Sequence, residues 1–220
     1  MARPHALIVG AGPGLSASLA RALAPTHALT LVARTTDDLE GLAGETGARL
    51  HAADASDPAA VDAVFAALPG PLAVAVYNPS ARSRGPLVEI APEDVRRALA
   101  VTAFGAFLVG QGAARRMLAN PGPVRGTVLF TGASAGVKGF PHSAPFAMGK
   151  FAQRGLAQSM SRELHPQGVH VAWVNVDGAI GRGEGRLDPD AIAATYLALI
   201  AQDPSAWSEE VAVRPMGERF

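Results

Sequence analysis

The chain has 220 residues and equal numbers of basic and acidic side chains, 19 of each, so it has no net charge to favour nucleic acid or an anionic membrane as partner. With 49% hydrophobic and 17% charged residues it reads as one compact domain over 1–220, not as a disordered segment. It has no cysteine, which excludes disulfides, thiolate catalysis and thiolate-bound metal.

Met1–His5 leads straight into an apolar segment, without the charged and long apolar stretches of a signal peptide. No apolar run approaches the roughly 20 residues needed to cross a bilayer. The expectation is a soluble, cytoplasmic protein with no membrane or metal in its function.

Ala6–Val9 reads as a first strand. Gly10-Ala11-Gly12-Pro13-Gly14-Leu15-Ser16 follows it and opens a helix over Leu15–Leu23. Glycines in that setting allow positive φ and bring backbone close to a pyrophosphate at the helix N-terminus, although structural turns share this composition. A second strand, Ala28–Ala33, ends at Arg34. An acid there would hold a ribose 2′-hydroxyl, whereas an arginine accepts a 2′-phosphate, so Arg34 points to NADP(H), with NAD(H) as the alternative.

Next come a helix over Leu39–Thr46, a strand over Arg49–Ala53 followed by Asp54, a helix over Pro58–Ala67 and a strand over Leu72–Tyr77. Beyond Asn78-Pro79-Ser80 lie a long helix, Pro92–Leu118, a strand, Gly126–Thr131, a helix, Ala144–Leu164, and a strand, Val169–Val176. Asp190–Gln202 reads as a further helix and Glu210–Val213 as an edge strand. Strands that are apolar throughout are covered on both faces, so the pattern implies an α/β fold, a doubly wound parallel sheet of the Rossmann type.

Gly10, Gly14, Asn78, Gly136, Gly139, Pro141 and Lys150 give the chain a resemblance to the short-chain dehydrogenase/reductase family, ungapped through Gly126–Leu164. The resemblance implies a cofactor loop over Gly10, Gly12, Gly14 and Leu15, with Ser16 in place of the family's last glycine. It puts Asp54 at the adenine, Asn78 beside the ribose, and Gly178 and Ile180 at the nicotinamide carboxamide. Where the family has a long substrate loop, this chain has only Gly178–Pro189, from which Arg182 can reach the pyrophosphate.

Of the family's four catalytic positions, the asparagine falls on Thr102, the serine on Ala133 and the tyrosine on Phe146, and only the lysine, Lys150, is retained. Lys150 stands four residues after Phe146, on the same helix face. The chain has only two lysines, Lys138 and Lys150, and retention of Lys150 speaks for binding a ribose more than for proton transfer. Phenylalanine neither donates nor accepts a proton, and such help is typically worth about 10²–10⁴-fold. Ser134 and His142 are candidate substitutes, and an iminium or conjugated alkene needs no enzymic acid. Asp177, in the place of the family's proline, is a turn residue or a new acid.

The long helix Pro92–Leu118 and the helix Ala144–Leu164 are those that pair between subunits in the family, so a homodimer or homotetramer is expected. Ala206-Trp207 and Met216–Phe220 are candidates for docking on the neighbour. Three readings follow. The first is an NADP(H)-dependent oxidoreductase with a non-standard proton donor, acting on a small carbonyl, imine or enone. The second is an NADP(H)-binding or sensing protein, and the third a lyase or isomerase using His142 or Asp177.

Overall fold

The computed structural model describes residues 3–217. Its strands are β1 (His5–Val9), β2 (Ala28–Ala33), β3 (Arg49–Ala52), β4 (Leu72–Tyr77), β5 (Gly126–Thr131), β6 (Val169–Val176) and β7 (Glu210–Val213). Its helices are α1 (Leu15–Leu23), α2 (Glu40–Thr46), α3 (Pro58–Ala67), α4 (Pro92–Leu99), α5 (Gly105–Leu118), α6 (Ala144–Leu164) and α7 (Pro189–Ile200). The strands form one parallel sheet in the order β3-β2-β1-β4-β5-β6-β7, the doubly wound Rossmann arrangement.

Side chains alternate between the two faces of each strand, and each face carries its own core. Leu7, Val9, Ala75, Tyr77 and Phe130 pack beneath α3, α5 and α6. Ala6, Ile8, Val74, Val76 and Leu129 pack with Leu19, Leu23, Ile192 and Tyr196 of α1 and α7. Because β3 and β4 lie on opposite sides of β1, the strand order reverses between β1 and β4. The crevice beyond the strand ends at such a reversal is where doubly wound sheets hold ligands. Val9 pairs with Tyr77, so Gly10 and Asn78 leave the sheet side by side, and Asn78 N–H donates to Val9 O at 3.0 Å.

Several boundaries differ from the sequence expectation. The third strand stops at Ala52, the second helix begins at Glu40 after a short 3-10 turn, and the last helix is Pro189–Ile200. Asp188 starts that last helix by accepting the Asp190 N–H through its side chain at 2.8 Å.

The long helix is continuous over Pro92–Leu118 but contains a π turn at Ala100–Phe104. There Gly105 N–H reaches Ala100 O, and the Tyr77 hydroxyl donates to the carbonyl of Val101. By length and mean hydropathy alone this helix reaches the range of a bilayer span, a test that the core helix of a soluble protein also passes. In the fold it lies along β4 and β5 between α3 and α6.

Trp207, a candidate for docking on a neighbour, is part-buried and stacks its ring on His170 of its own chain at 5.0 Å, 5° from parallel. Met216 is exposed, and Phe220 lies outside the described residues.

Candidate active site

Two clefts lie along the C-terminal edge of the sheet and meet at Ser80 and Arg82. The first, about 640 Å³, is bounded by Gly10–Pro13, Arg34, Asp54 and Arg97. The second, about 730 Å³, is bounded by Asn78, Ala133, Ser134, His142, Phe146, Lys150, Gly178 and Ile180, with Arg84 at its side. Of the residues expected at the cofactor, Gly10, Gly12, Arg34 and Asp54 thus border the first cleft, whereas Asn78, Lys150, Gly178 and Ile180 border the second, beside Ser134, His142 and Phe146.

Gly10 has φ +79°, and a Cβ there would lie 2.7 Å from Pro79 Cδ, so the turn admits only glycine. A Cβ on Gly12 or Gly14 would meet nothing within 4 Å, so the loop leaves open space in front of the backbone. Helix α1 begins at Gly14 without a side-chain cap and without an acid in its first turn. Its N-terminal amides and positive dipole end thus suit an anion such as a pyrophosphate. Gly14 and Leu15 do not border the cleft by side chain. Leu15 turns into the core at 6% exposure and can serve only through its N–H.

Arg34 is exposed at the first cleft, and among the described residues no hydrogen bond or ion pair holds its guanidinium. Asp54 accepts both N–H and Oγ–H of Ser56, at 2.8 and 2.7 Å, bonds that pull its pKa below the usual carboxylate range. It remains exposed at the same cleft.

A chain of hydrogen bonds joins the glycine loop to the helix of the second cleft. Ser16 donates to Gly10 O at 2.8 Å, and Asn78 Nδ2 donates to Ser16 Oγ at 2.6 Å. Thr131 Oγ1 donates to Asn78 Oδ1 and lies 2.7 Å from the Tyr196 hydroxyl. Lys150 Nζ then donates to Thr131 O at 2.5 Å and to Gln153 Oε1 at 3.3 Å. Ser16 thus anchors the Asn78 amide by a bond that a glycine in its place could not make.

Lys150 is 2% exposed, and burial together with the charge of Arg82 pushes its pKa down to about 7. An ammonium has three donors, and these two bonds leave one for the cleft. Gly149 lets this turn of α6 press on the π turn, since a Cβ there would lie 2.9 Å from Thr102 Cβ. Thr102 itself is fully buried: its Oγ1 accepts the Ala81 N–H at 3.1 Å and its carbonyl accepts from Gln153 at 3.3 Å. It supports the Ser80–Arg82 loop and does not reach the cleft.

Phe146 lines the second cleft, and its face is covered by Arg82, whose Cζ lies 4.1 Å from the ring centroid. Neither of the chain's two tyrosines stands in for it. Tyr77 is committed to Val101 O and Tyr196 to Thr131, both at 0% exposure, with pKa values raised by burial.

Ser134 borders the cleft, but its hydroxyl donates to Asp177 Oδ1. Asp177 is no turn residue: it is 3% exposed, and its Oδ2 lies 3.2 Å from Arg214 Nη2. Strand pairing brings these two together, since Val176 pairs with Val213 and each charged residue follows directly. His142 stands at the exposed rim with φ +58°, a left-handed conformation uncommon outside glycine. Arg182 is drawn away, to Asp190 at 2.8 Å and Asp188 at 4.0 Å at the start of α7. The short loop before α7 is itself pinned by an Ile180–Leu187 bridge.

Arg82 and Arg84 escaped the sequence reading. The available signal was the run Ser80-Ala81-Arg82-Ser83-Arg84 directly after Asn78-Pro79, two arginines in the segment that closes the crevice.

Comparison with known proteins agrees with this fold. The short chain dehydrogenase family profile matches residues 4–179. The L-2,3-butanediol dehydrogenase of Corynebacterium glutamicum is 32% identical over 110 residues, 50% of this chain and 42% of that protein. The match therefore spans less than half the length of that relative. A short-chain dehydrogenase from Rhodopseudomonas palustris superposes with a TM-score of 0.87 at 31% identity, over 96% of this chain and 98% of that one. A metagenomic short-chain oxidoreductase in complex with NADP superposes with a TM-score of 0.87 at 27% identity, over 98% of each.

Proposed function

The chain belongs to the short-chain dehydrogenase family, and on that footing we propose that it is an NADP(H)-dependent oxidoreductase whose proton chemistry does not pass through a tyrosine. The observation that carries this reading is the pair of clefts joined at Ser80 and Arg82, one bounded by an open glycine loop and Arg34, the other by Lys150. The amides of Gly12, Gly14 and Leu15 would hold the pyrophosphate, since Pro13 has no N–H and those of Gly10 and Ala11 go to Val32 O. Arg34 would hold the 2′-phosphate, and the free N–H of Lys150 a ribose hydroxyl. NADP in the complex of the metagenomic relative supports that choice of dinucleotide. When bound, the nicotinamide supplies or accepts a hydride.

The chain's own groups then set the proton side. Ser134 gives its proton to Asp177, so its oxygen presents lone pairs to the cleft and suits a substrate hydroxyl or amine. Lys150, with a pKa near neutral, can hold or release a proton at Nζ. A carbonyl substrate lacks a tyrosine donor here, whereas an imine or enone makes less demand on one. Phe104, Phe107, Met148 and Phe151 are exposed on the outer faces of α5, α6 and the π turn, which supports pairing of two copies through these helices.

A second reading, an NADP(H)-binding protein without turnover, is favoured by the burial of both tyrosines and by the loss of the family's side chains at Thr102, Ala133 and Phe146. Fluorescence titration with NADPH and NADH, followed by turnover assays on carbonyl, imine and enone panels, separates the two. NADPH is expected to bind at least about tenfold more tightly than NADH, and Arg34→Ala to erase that preference. Binding without turnover on any panel selects the second reading. Failure to bind either dinucleotide at millimolar concentration removes both.

A further inference from the structure

The charged side chains around the second cleft all carry the same sign. Arg82, Arg84 and Lys150 border it, together with His142, and no aspartate or glutamate among the described residues does. Asp177, the carboxylate that accepts from Ser134 of this wall, is already matched by Arg214. Because the chain as a whole is neutral, this local excess does not reflect a generally basic surface. No hydrogen bond or ion pair holds either arginine among the described residues, and Arg82 lies over the Phe146 ring with Cζ 4.1 Å from the centroid.

Like charges gathered without a counter-ion oppose one another. Arg84 lowers the pKa of Arg82, after burial, and Arg82 does the same to Lys150. Such a cluster is relieved by an anion placed among its members. The stacking also has a geometric consequence. A guanidinium with its Cζ over a ring face keeps N–H donors that the ring does not take up, and these can grip a carboxylate or phosphate by two parallel bonds. Phe146, Ala133, Phe140, Pro141 and Ile180 supply apolar wall around it.

The geometry points to a substrate that carries an anionic group, a carboxylate or phosphate on a short apolar body, gripped by Arg84 and the Phe146-stacked Arg82. This assignment rests on the second cleft being the substrate half, as proposed above. Arg82 borders both clefts, so a phosphate of the dinucleotide is the competing anion, whereas Arg84 borders the second alone.

The test titrates the protein with 2-oxobutanoate, dihydroxyacetone phosphate and uncharged butanone, each with and without saturating NADPH, by calorimetry or by the emission of Trp173. That indole bonds Gln153, a partner of Lys150. At least one anion is expected to bind the NADPH-loaded protein at least about tenfold more tightly than butanone. Arg84→Gln is expected to weaken that anion at least about tenfold and to leave NADPH affinity unchanged. Arg82→Lys, which keeps the charge and loses the planar fork, should weaken it by a smaller factor. Equal binding of butanone, indifference to Arg84→Gln, no anion binding at millimolar concentration, or displacement of the anions by NADPH would overturn the assignment. If NADPH itself does not bind, the dinucleotide reading fails, and the titrations without NADPH still decide on the anion site.

Discussion

Arg82 covers the face of Phe146 at the position where a tyrosine would place its hydroxyl at the cleft, with Cζ 4.1 Å from the ring centroid. A guanidinium over an aromatic face is favourable by about 0.5–1 kcal/mol when exposed and more when desolvated, so the pair also fixes the Ser80–Arg82 loop against α6. The site presents a fixed positive charge where the family resemblance implies a proton donor. An arginine stabilises negative charge but does not release its proton in a protein.

Restoring the hydroxyl therefore has a defined expectation. Phe146→Tyr combined with Ala133→Ser adds a donor beside two cations, Arg82 and Lys150, which would lower the phenol's pKa. Ketone reduction with NADPH should rise on the order of 10²-fold in kcat, read by steady-state kinetics. An unchanged rate would place the limit in the substrate pocket and not in the missing groups.

Two glycines should respond in opposite ways to alanine. At Gly105 a Cβ would lie 2.3 Å from the Tyr77 hydroxyl and 2.6 Å from Ala55 O, so Gly105→Ala should cost about 1–3 kcal/mol in urea denaturation. At Gly12 a Cβ meets nothing within 4 Å. Gly12→Ala should leave stability within about 0.5 kcal/mol and weaken NADPH in a fluorescence titration. Undiminished affinity in the Gly12 variant would remove the glycine loop from the cofactor site.

Lys150 should leave a signature in the pH dependence of stability. Its pKa is pushed down to about 7 in the folded chain, against an ordinary value of 10.5 in the unfolded one. Between those values the unfolded chain binds more protons, so stability rises with pH from about 7 towards 10. Below pH 7 both states carry the proton and the burial penalty is constant. The slope contributed by one group is at most ~1.4 kcal/mol per pH unit. Urea midpoints across that window should flatten in Lys150→Met, and an identical slope would contradict the shift.

The alternation of apolar strands with amphipathic helices, the glycine loop after β1 and the pairing of Phe146 with Lys150 on one helix face were all legible, because each depends on residues close together in the chain. Helix and strand periods act over a few residues, and a turn is specified by the glycines inside it. The same locality explains why Arg34 could be placed at the end of β2. The sequence by itself thus determined the fold class and the order of Arg34, Ala133, Phe146 and Lys150 along it. What these and the neighbouring side chains meet was decided only by tertiary structure. Asp177 meets Arg214 through the register of β6 with β7, Arg82 reaches Phe146 through the loop closing β4, and Thr102 turns inward because Gly149 lets α6 approach. These partners come from separate strands and helices, and only the packing of the sheet sets the distance between them.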